Sequence, residues 1–186
     1  MKLYHFCLPA AAMLLPSLGL AAADNAQLEA EATALATEFV GRLKPQLKQA
    51  MQSGGPVNAI DVCSEQAPRI ADALSAESGW LVKRVSLKPR NASRAVPDTW
   101  EQAVLKEFDR RQVSGENPAS ISYGESINSS YRYMQAQVAQ GLCLVCHGEN
   151  IAPEVQQTLD QYYPDDFATG YSAGQVRGAI SLSKSF

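Results

Sequence analysis

The chain has 186 residues, of which 46% are hydrophobic and 19% are charged, and its formal net charge is −3 at pH 7. This length and composition are typical of one globular domain with a sizeable apolar core. The weak acidity does not favour nucleic acid or an anionic membrane surface as a partner.

The first 23 residues have the pattern of a secretory signal. Lys2 precedes an apolar stretch, and small residues at 21–23 come directly before Asp24. The apolar stretch is short and interrupted by proline, which favours a cleavable signal over a membrane-spanning helix. We therefore predict an exported, periplasmic protein with a signal peptide at 1–23 and a folded domain at 24–186, without stable membrane insertion after cleavage.

A long amphipathic helix is predicted to open the folded domain. Apolar residues recur every three to four positions over 26–52, and Asp24 or Asn25 can cap the first turn. Residues 53–56 read Ser-Gly-Gly-Pro, a sequence typical of a helix end. The long helix is therefore expected to stop before residue 57.

A second helix is predicted over 57–77, with a kink at Pro68. Cys63 lies on its apolar face and is therefore expected to point into the protein. An exported protein would carry this cysteine in a compartment that favours disulfides. A buried core cysteine and a metal ligand are both consistent with its position.

Residues 80–87 are rich in strand formers and predict a β-strand. Between Trp80 and Pro97 there are basic residues and no acidic one, and the basic residues are Lys83, Arg84, Lys88, Arg90 and Arg94. This cluster is either a solvated basic loop or a clamp for cofactor carboxylates. Arg90 is the preferred residue of such a clamp, because a guanidinium fork can bind a carboxylate with two hydrogen bonds.

The next helix is predicted to begin at Asp98, with Glu101 completing a capping box. The remaining predicted elements are a short strand at 120–124, a helix over 125–140, a helix that begins at Pro153 and a strand over 174–185. Helices and strands alternate without the rhythm of a parallel sheet. We therefore expect an α+β fold with an antiparallel sheet.

The segment Cys143-Leu-Val-Cys146-His147 is the C-x-x-C-H pattern that attaches c-type haem. Two cysteines on one helical turn direct their sulfurs to the same side, where they can bond to the two vinyl groups of one porphyrin. The histidine that follows ligates the iron, and the other histidine, His5, lies in the predicted signal. We therefore predict one covalent haem c held by Cys143 and Cys146, with His147 as a metal ligand.

Two other chemistries use cysteines in this way. A zinc site could combine Cys63, Cys143, Cys146 and His147, but the adjacent residues 146 and 147 would then both face one metal, which differs from the usual spacing of zinc ligands. A thioredoxin-like C-x-x-C motif requires a βαβ context, which the elements predicted before Cys143 lack. Haem attachment is the interpretation that the sequence favours.

A resemblance to known proteins rests on specific sequence strings rather than loose patterns. These strings lie at 59–63, 83–91, 97–101, 143–148 and 163–180. On these strings the chain resembles a family of exported monohaem c-type proteins with a PAS-like fold. The family occurs in cyanobacteria and proteobacteria, both as free proteins and as extracytoplasmic sensory regions of histidine kinases. One departure is at 92–96, where the family has a short turn containing Pro and Asn.

The resemblance implies a PAS-like antiparallel sheet with flanking helices and a long N-terminal helix. It also implies a haem iron with His147 on one side and the Cys63 thiolate on the other. Met134, Met51 or an open sixth position are the alternatives to Cys63. The clamp formed by Arg90 would then hold the two haem propionates.

Electron transfer or redox sensing is the first function expected, because a thiolate ligand favours ferric iron and a low potential. A sensor of CO or NO, opened by loss of Cys63, is the second. A peroxidase-type enzyme is the weakest, since no histidine is left as an acid-base group, and we predict no enzymatic activity. A cytochrome c′-like helical bundle is the rival fold, although the strand-like ending after His147 does not suit it. A redox partner or a signalling protein is the expected binding partner.

Overall fold

The structure, a computed structural model, describes residues 18–186, with side chains from Asp24 onward. The predicted signal segment, with His5 and Cys7, lies outside the described residues except for the helical backbone of 18–23. Within the described part, no helix is long and apolar enough to cross a membrane. Export and cleavage of the signal stay predictions.

The first helix, α1 (Leu18–Asp61), begins earlier than predicted, and a non-helical residue divides it within the segment 53–56, where the prediction placed its end. Asp24 and Asn25 lie inside it rather than capping it, because the alanines ahead of them have high helix propensity. Gly55 interrupts the helix with φ 69° and ψ −164°, at the predicted Ser-Gly-Gly-Pro segment. The buried face of α1 carries Ala32, Ala36, Phe39, Leu43 and Ala50.

A π-helical turn, Val62–Gln66, joins α1 to the next helix, α2 (Ala67–Ser78). Pro68 lies in the first turn of α2, where its missing N–H leaves no helical hydrogen bond unmade. The predicted single helix is thus two helical segments with an irregular turn between them. Cys63 is half-buried on that turn.

An antiparallel sheet of four strands has the order β1-β4-β3-β2. The strands are β1 (Leu81–Val85), β2 (Ser122–Ile127), β3 (Ser130–Val138) and β4 (Val176–Ser185). Helices α1 and α2 pack on one face of the sheet, and the apolar residues of the other face pack against α3 (Thr99–Val113). This architecture confirms the predicted α+β class and excludes a helical bundle.

The prediction of a helix over 125–140 is wrong, because this segment forms the end of β2, the hairpin turn and β3. Asn128 and Ser129 have positive φ angles of 49° and 58°, as in the two-residue turns that match the twist of paired strands. Tyr131 and Tyr133 alternate into the core with the period of a strand. Tertiary pairing therefore overrides the helix formers near residue 137.

The remaining elements follow the prediction more closely. Helix α3 begins with the predicted capping box, in which Asp98 accepts from the Glu101 backbone and Glu101 accepts from that of Asp98. The cysteine motif forms a short helix, α4 (Gly141–His147), and α5 (Pro153–Tyr162) begins at the predicted proline. Helices α4 and α5 lie between β3 and β4 in the chain.

Candidate cofactor site

Two adjoining cavities lie on the sheet face that α1 and α2 cover. The larger spans about 780 Å³ and the smaller about 530 Å³, including space open to solvent. The residues that line both cavities are Cys63, Arg84, Arg90, His147, Tyr163 and Arg177.

The smaller cavity, called here the apolar cavity, combines aliphatic walls with the cysteine motif. Both motif cysteines, Cys143 and Cys146, line it together with His147 and Cys63. Its apolar lining residues are Leu43, Leu47, Met51, Ala59, Ile60, Leu142 and Leu159. The structure therefore brings the predicted attachment residues and both predicted iron ligands to one cavity.

Helix α4 presents the two motif cysteines. Gly148 closes this helix by donating its N–H to the Leu144 carbonyl at 2.9 Å, and a Cβ at residue 148 would lie 2.5 Å from that oxygen. Within the described residues no cysteine forms a disulfide. Burial raises the pKa of the Cys146 thiol, although the Arg90 cation acts in the opposite direction.

His147 is buried, with 8% of its surface exposed, and its ring is oriented by the backbone. Its Nδ1 lies 2.7 Å from the Ala168 carbonyl, so Nδ1 is the protonated nitrogen and Nε2 keeps its lone pair. Burial and the nearby Arg177 and Arg90 cations hold the pKa of His147 well below its ordinary value of 6.5. A neutral imidazole held through Nδ1 is the form that ligates metals through Nε2.

The alternatives to Cys63 as an iron ligand differ in position. Met51 lines the apolar cavity, but Met134 is fully buried in the core on the opposite face of the sheet. The zinc hypothesis has no geometric support, because no group of three or more His, Cys, Asp or Glu residues in 18–186 could hold one metal ion. Cys63 itself lines both cavities.

Arg90 lines both cavities, and its Nη2 atom has several partners. It donates to the carbonyls of Cys146 and Ala168, and it lies 3.0 Å from Asp166 Oδ2 in an ion pair that lacks hydrogen-bond geometry. The Ala168 carbonyl is the same one that orients His147. Arg90 Nε is buried without a hydrogen-bond partner in the described residues.

The larger cavity, called here the basic cavity, is lined by every member of the predicted basic cluster: Lys83, Arg84, Lys88, Arg90 and Arg94. Arg177 of β4 adds a further cation that sequence analysis missed. Burial and the neighbouring Arg84 lower the pKa of Arg177 to about 10. The basic cavity thus has the charge that an anionic group requires.

A β-bulge places Arg177 in the site. Gln137 of β3 pairs with Gly178, whereas Val138 pairs with Val176, so Arg177 is the extra residue. Gly178 has φ 155°, and a Cβ there would lie 2.5 Å from the Val85 carbonyl oxygen. A glycine inside a strand is the sequence signal of such a bulge, and it could have identified the position.

The model of the Tll0287-like family matches residues 19–185. The chain belongs to this family. The match runs from α1 through β4, so every element that lines the two cavities lies within it.

Among solved structures, the chain is similar to the "Crystal structure of the cyanobacterial heme-protein Tll0287", with a TM-score of 0.62 and 22% sequence identity. The similarity covers 92% of this chain and 97% of the other. It shows that the two proteins share the α+β fold. A comparison with curated proteins found no match.

Proposed function

We propose that this protein is exported and binds one covalent haem c through Cys143 and Cys146, with His147 and Cys63 as the iron ligands. The observation that carries the proposal is the apolar cavity, which all four residues line. The structurally similar protein Tll0287 is a cyanobacterial heme protein, and membership of the Tll0287-like family supports this cofactor here.

The residues of the site fit a haem in three respects. The leucines of the apolar cavity suit the faces of a porphyrin, and the oriented imidazole of His147 suits its iron. The cations of the basic cavity suit the propionates. Arg90 adds a buried Nε donor without a partner in the described residues, so a propionate contact through this atom stays our prediction.

A bound haem supplies an iron that gains and loses one electron. The chain holds the His147 ring through the Ala168 carbonyl, would enclose a porphyrin with apolar side chains and would offer the Cys63 sulfur to its iron. These features support electron transfer or redox sensing with a redox or signalling partner. We propose no enzymatic role, since His147 is the one histidine of residues 24–186 and is assigned to the iron.

The π-helical turn favours a second candidate, a sensor of CO or NO. Cys63 lies in the Val62–Gln66 turn, where the N–H of Ala67 donates to the Val62 carbonyl. Such turns are rare and concentrate at functional sites. A return of this turn to α-helical hydrogen bonding would rotate Cys63 and withdraw its sulfur, which would leave an open position for a gas.

Covalent attachment is tested by acid–acetone extraction and intact-mass measurement of the mature protein from the periplasmic fraction. We expect one haem to stay with the chain, because thioether bonds do not dissociate. Cys143→Ser or Cys146→Ser leaves at most one thioether, whereas Cys63→Ser is the matched control that keeps both. A mass equal to that of the bare chain contradicts the proposal.

The sixth ligand is tested by electron paramagnetic resonance of the ferric protein. We expect a low-spin thiolate signal that Cys63→Ser converts to another spin state or ligand set while the haem stays attached. Ser64→Ala on the same turn is the control, since Ser64 carries no sulfur and its hydroxyl donates to the Asp61 carbonyl. An unchanged signal in the Cys63 variant contradicts its role as an iron ligand and identifies it as a core cysteine.

Carbon monoxide binding to the reduced protein separates carrier from sensor. If the Cys63 sulfur leaves on reduction, wild type and Cys63→Ala bind CO at comparable rates in stopped flow, which supports the gas sensor. CO binding to wild type that is slower by orders of magnitude shows that the Cys63 sulfur stays on the iron after reduction. This result supports an electron carrier.

A further inference from the structure

Arg84 and Arg177 are the two half-buried cations of the basic cavity that have no acidic partner among residues 24–186. The ion pairs of their neighbours are Lys83 with Glu101, Arg90 with Asp166 and Arg94 with Asp72. Lys88 also lacks a carboxylate, but it is exposed, so water can solvate it. Arg84 and Arg177 are both half-buried, where an uncompensated charge is costly.

The two arginines project from the same face of the sheet. Arg84 lies on the face of β1 that also carries Val82, and its Nε donates to Gln137 Oε1 at 3.1 Å. The extra residue of a bulge projects from the same face of the strand as its neighbour. Arg177 therefore projects from the face of Gly178, which is paired with Gln137. Arg84, Arg177 and Gln137 accordingly line the basic cavity together.

Both side chains have donors left over. The only hydrogen bond of Arg84 within the described residues uses Nε, so both of its terminal nitrogens are available. Arg177 makes one polar side-chain contact there, in which Nη1 lies 3.5 Å from His147 Nε2. Each guanidinium can therefore offer a fork of N–H groups to a carboxylate.

We propose that Arg84 and Arg177 form an anion site that binds the two haem propionates. The inference rests on the proposed haem function. In haem the vinyl groups and the propionates lie at opposite edges of the porphyrin, and the motif cysteines hold the vinyl edge at the apolar cavity. The propionates then extend toward the basic cavity, where two cations balance two carboxylates. Arg90 Nη2, in addition, helps to position His147 through the Cys146 and Ala168 carbonyls.

Such a site controls how the iron potential depends on pH. A propionate paired with a guanidinium stays ionised, so its charge at the iron is constant and the potential is nearly flat from about pH 5 to about pH 8. Removal of one guanidinium lets that propionate take up a proton within this range. The variant therefore gains a pH-dependent potential, and at the alkaline end its potential is lower than that of wild type because a cation near the iron is gone.

The test is redox titration against pH of the covalently loaded protein, with Arg84→Gln, Arg177→Gln and the double variant. Arg94→Gln is the matched control, because Arg94 lines the same cavity but pairs with Asp72. We expect a pH-dependent potential in the first three proteins and a flat one in wild type and the control. Equal behaviour of all variants, or an equal effect of Arg94→Gln, overturns the anion site.

A second measurement uses a more conservative variant, which keeps the proposal testable if the glutamine variants fold poorly. Arg177→Lys keeps the positive charge but not the fork, so we expect the potential to stay flat while the propionate bending band shifts in resonance Raman spectra. A band that does not move overturns direct contact between Arg177 and a propionate. Mass measurement distinguishes failure of the proposed function from failure of the anion site. A wild type without attached haem contradicts the proposed function, whereas attached haem with unchanged variants contradicts only the anion site.

Discussion

The two faces of the sheet differ in whether their buried charged side chains have a partner of opposite charge. On the face toward α3, Glu101 is fully buried and accepts from Lys83 Nζ at 3.0 Å and from Ser181 Oγ at 2.6 Å. On the face toward α1 and α2, Arg84 and Arg177 have no acidic partner in the described residues. The Glu101 cluster is satisfied by the chain itself and stabilises the fold, whereas the arginine pair is suited to an anion from outside the chain.

The largest expected effect comes from breaking the satisfied cluster. Glu101→Ala leaves Lys83 and Arg132 without their buried carboxylate, and removing one partner of a buried ion pair costs about 3–5 kcal/mol in the free energy of unfolding. Urea unfolding followed by circular dichroism measures this. Glu107→Ala, at an exposed pair with Arg110 on the same helix, is the control and is expected to change little. Equal losses in the two variants contradict the structural role of Glu101.

The next effect comes from the bulge behind the arginine pair. In Gly178→Ala the new Cβ would lie 2.5 Å from the Val85 carbonyl oxygen, so β1 and β4 must separate locally. We expect a loss of about 1–3 kcal/mol in unfolding free energy together with an altered iron potential, because Arg177 is displaced. Gly41→Ala, with nothing within 4 Å of its Cβ, is expected to raise stability slightly. A Gly178→Ala protein as stable as wild type shows that the bulge is not tightly packed.

A smaller effect is expected at Asp98, on the margin of the satisfied cluster. Burial raises its pKa, but the Glu101 backbone N–H and the Arg132 guanidinium outweigh this and hold the pKa below its ordinary value of 3.8. A lowered pKa in the folded state means that the stabilisation is complete above pH 3.8 and is lost as the pH falls through the folded value. Asp98→Ala therefore costs about 1 kcal/mol near neutral pH. Urea titrations should show the difference from wild type shrinking in acid, and a difference independent of pH rules out this cap.

The smallest effect is expected in the hairpin, away from both charge clusters. Ser129 has a φ of 58°, and Ser129→Gly relieves the strain of a side chain in that conformation. We expect a gain of about 0.5 kcal/mol in unfolding free energy, reduced by the greater freedom of glycine in the unfolded chain. Ser130→Gly, one residue later inside β3, is expected to lose stability instead. The reverse order of the two variants contradicts the turn geometry.

Local signals explain which elements could be predicted. The capping box of α3 and the proline of α5 act within one helical turn, so both helix starts are visible in the sequence. The strand predicted at 120–124 overlaps β2, but the helix predicted over 125–140 is wrong, because the turn Asn128-Ser129 lacks glycine and because the pairing of β3 depends on β4, far along the chain. Strand propensity is set by such pairing more than by the backbone.

The candidate site also has residues that the sequence predicts and residues that it does not. Cys143, Cys146 and His147 form a contiguous motif, and the structure places all three on the cavity that Cys63 also lines. Arg177 was missed because a bulge, rather than the alternation of the strand, decides which face its side chain takes. The partners of Arg90 are backbone carbonyls at 146 and 168, which no side-chain pattern reveals.

The position of β4 has a consequence for the order in which the protein is made. This strand is the last element of the described chain, yet it lies between β1 and β3 in the sheet, and its Lys184 is tied to Glu31 of α1 at 2.8 Å. The sheet therefore cannot close before β4 is synthesised, since this strand is one of its two central strands and follows β1, β2 and β3 in the chain. The cysteine motif of α4 emerges before that strand, and this order leaves both thiols reachable during the proposed attachment of haem.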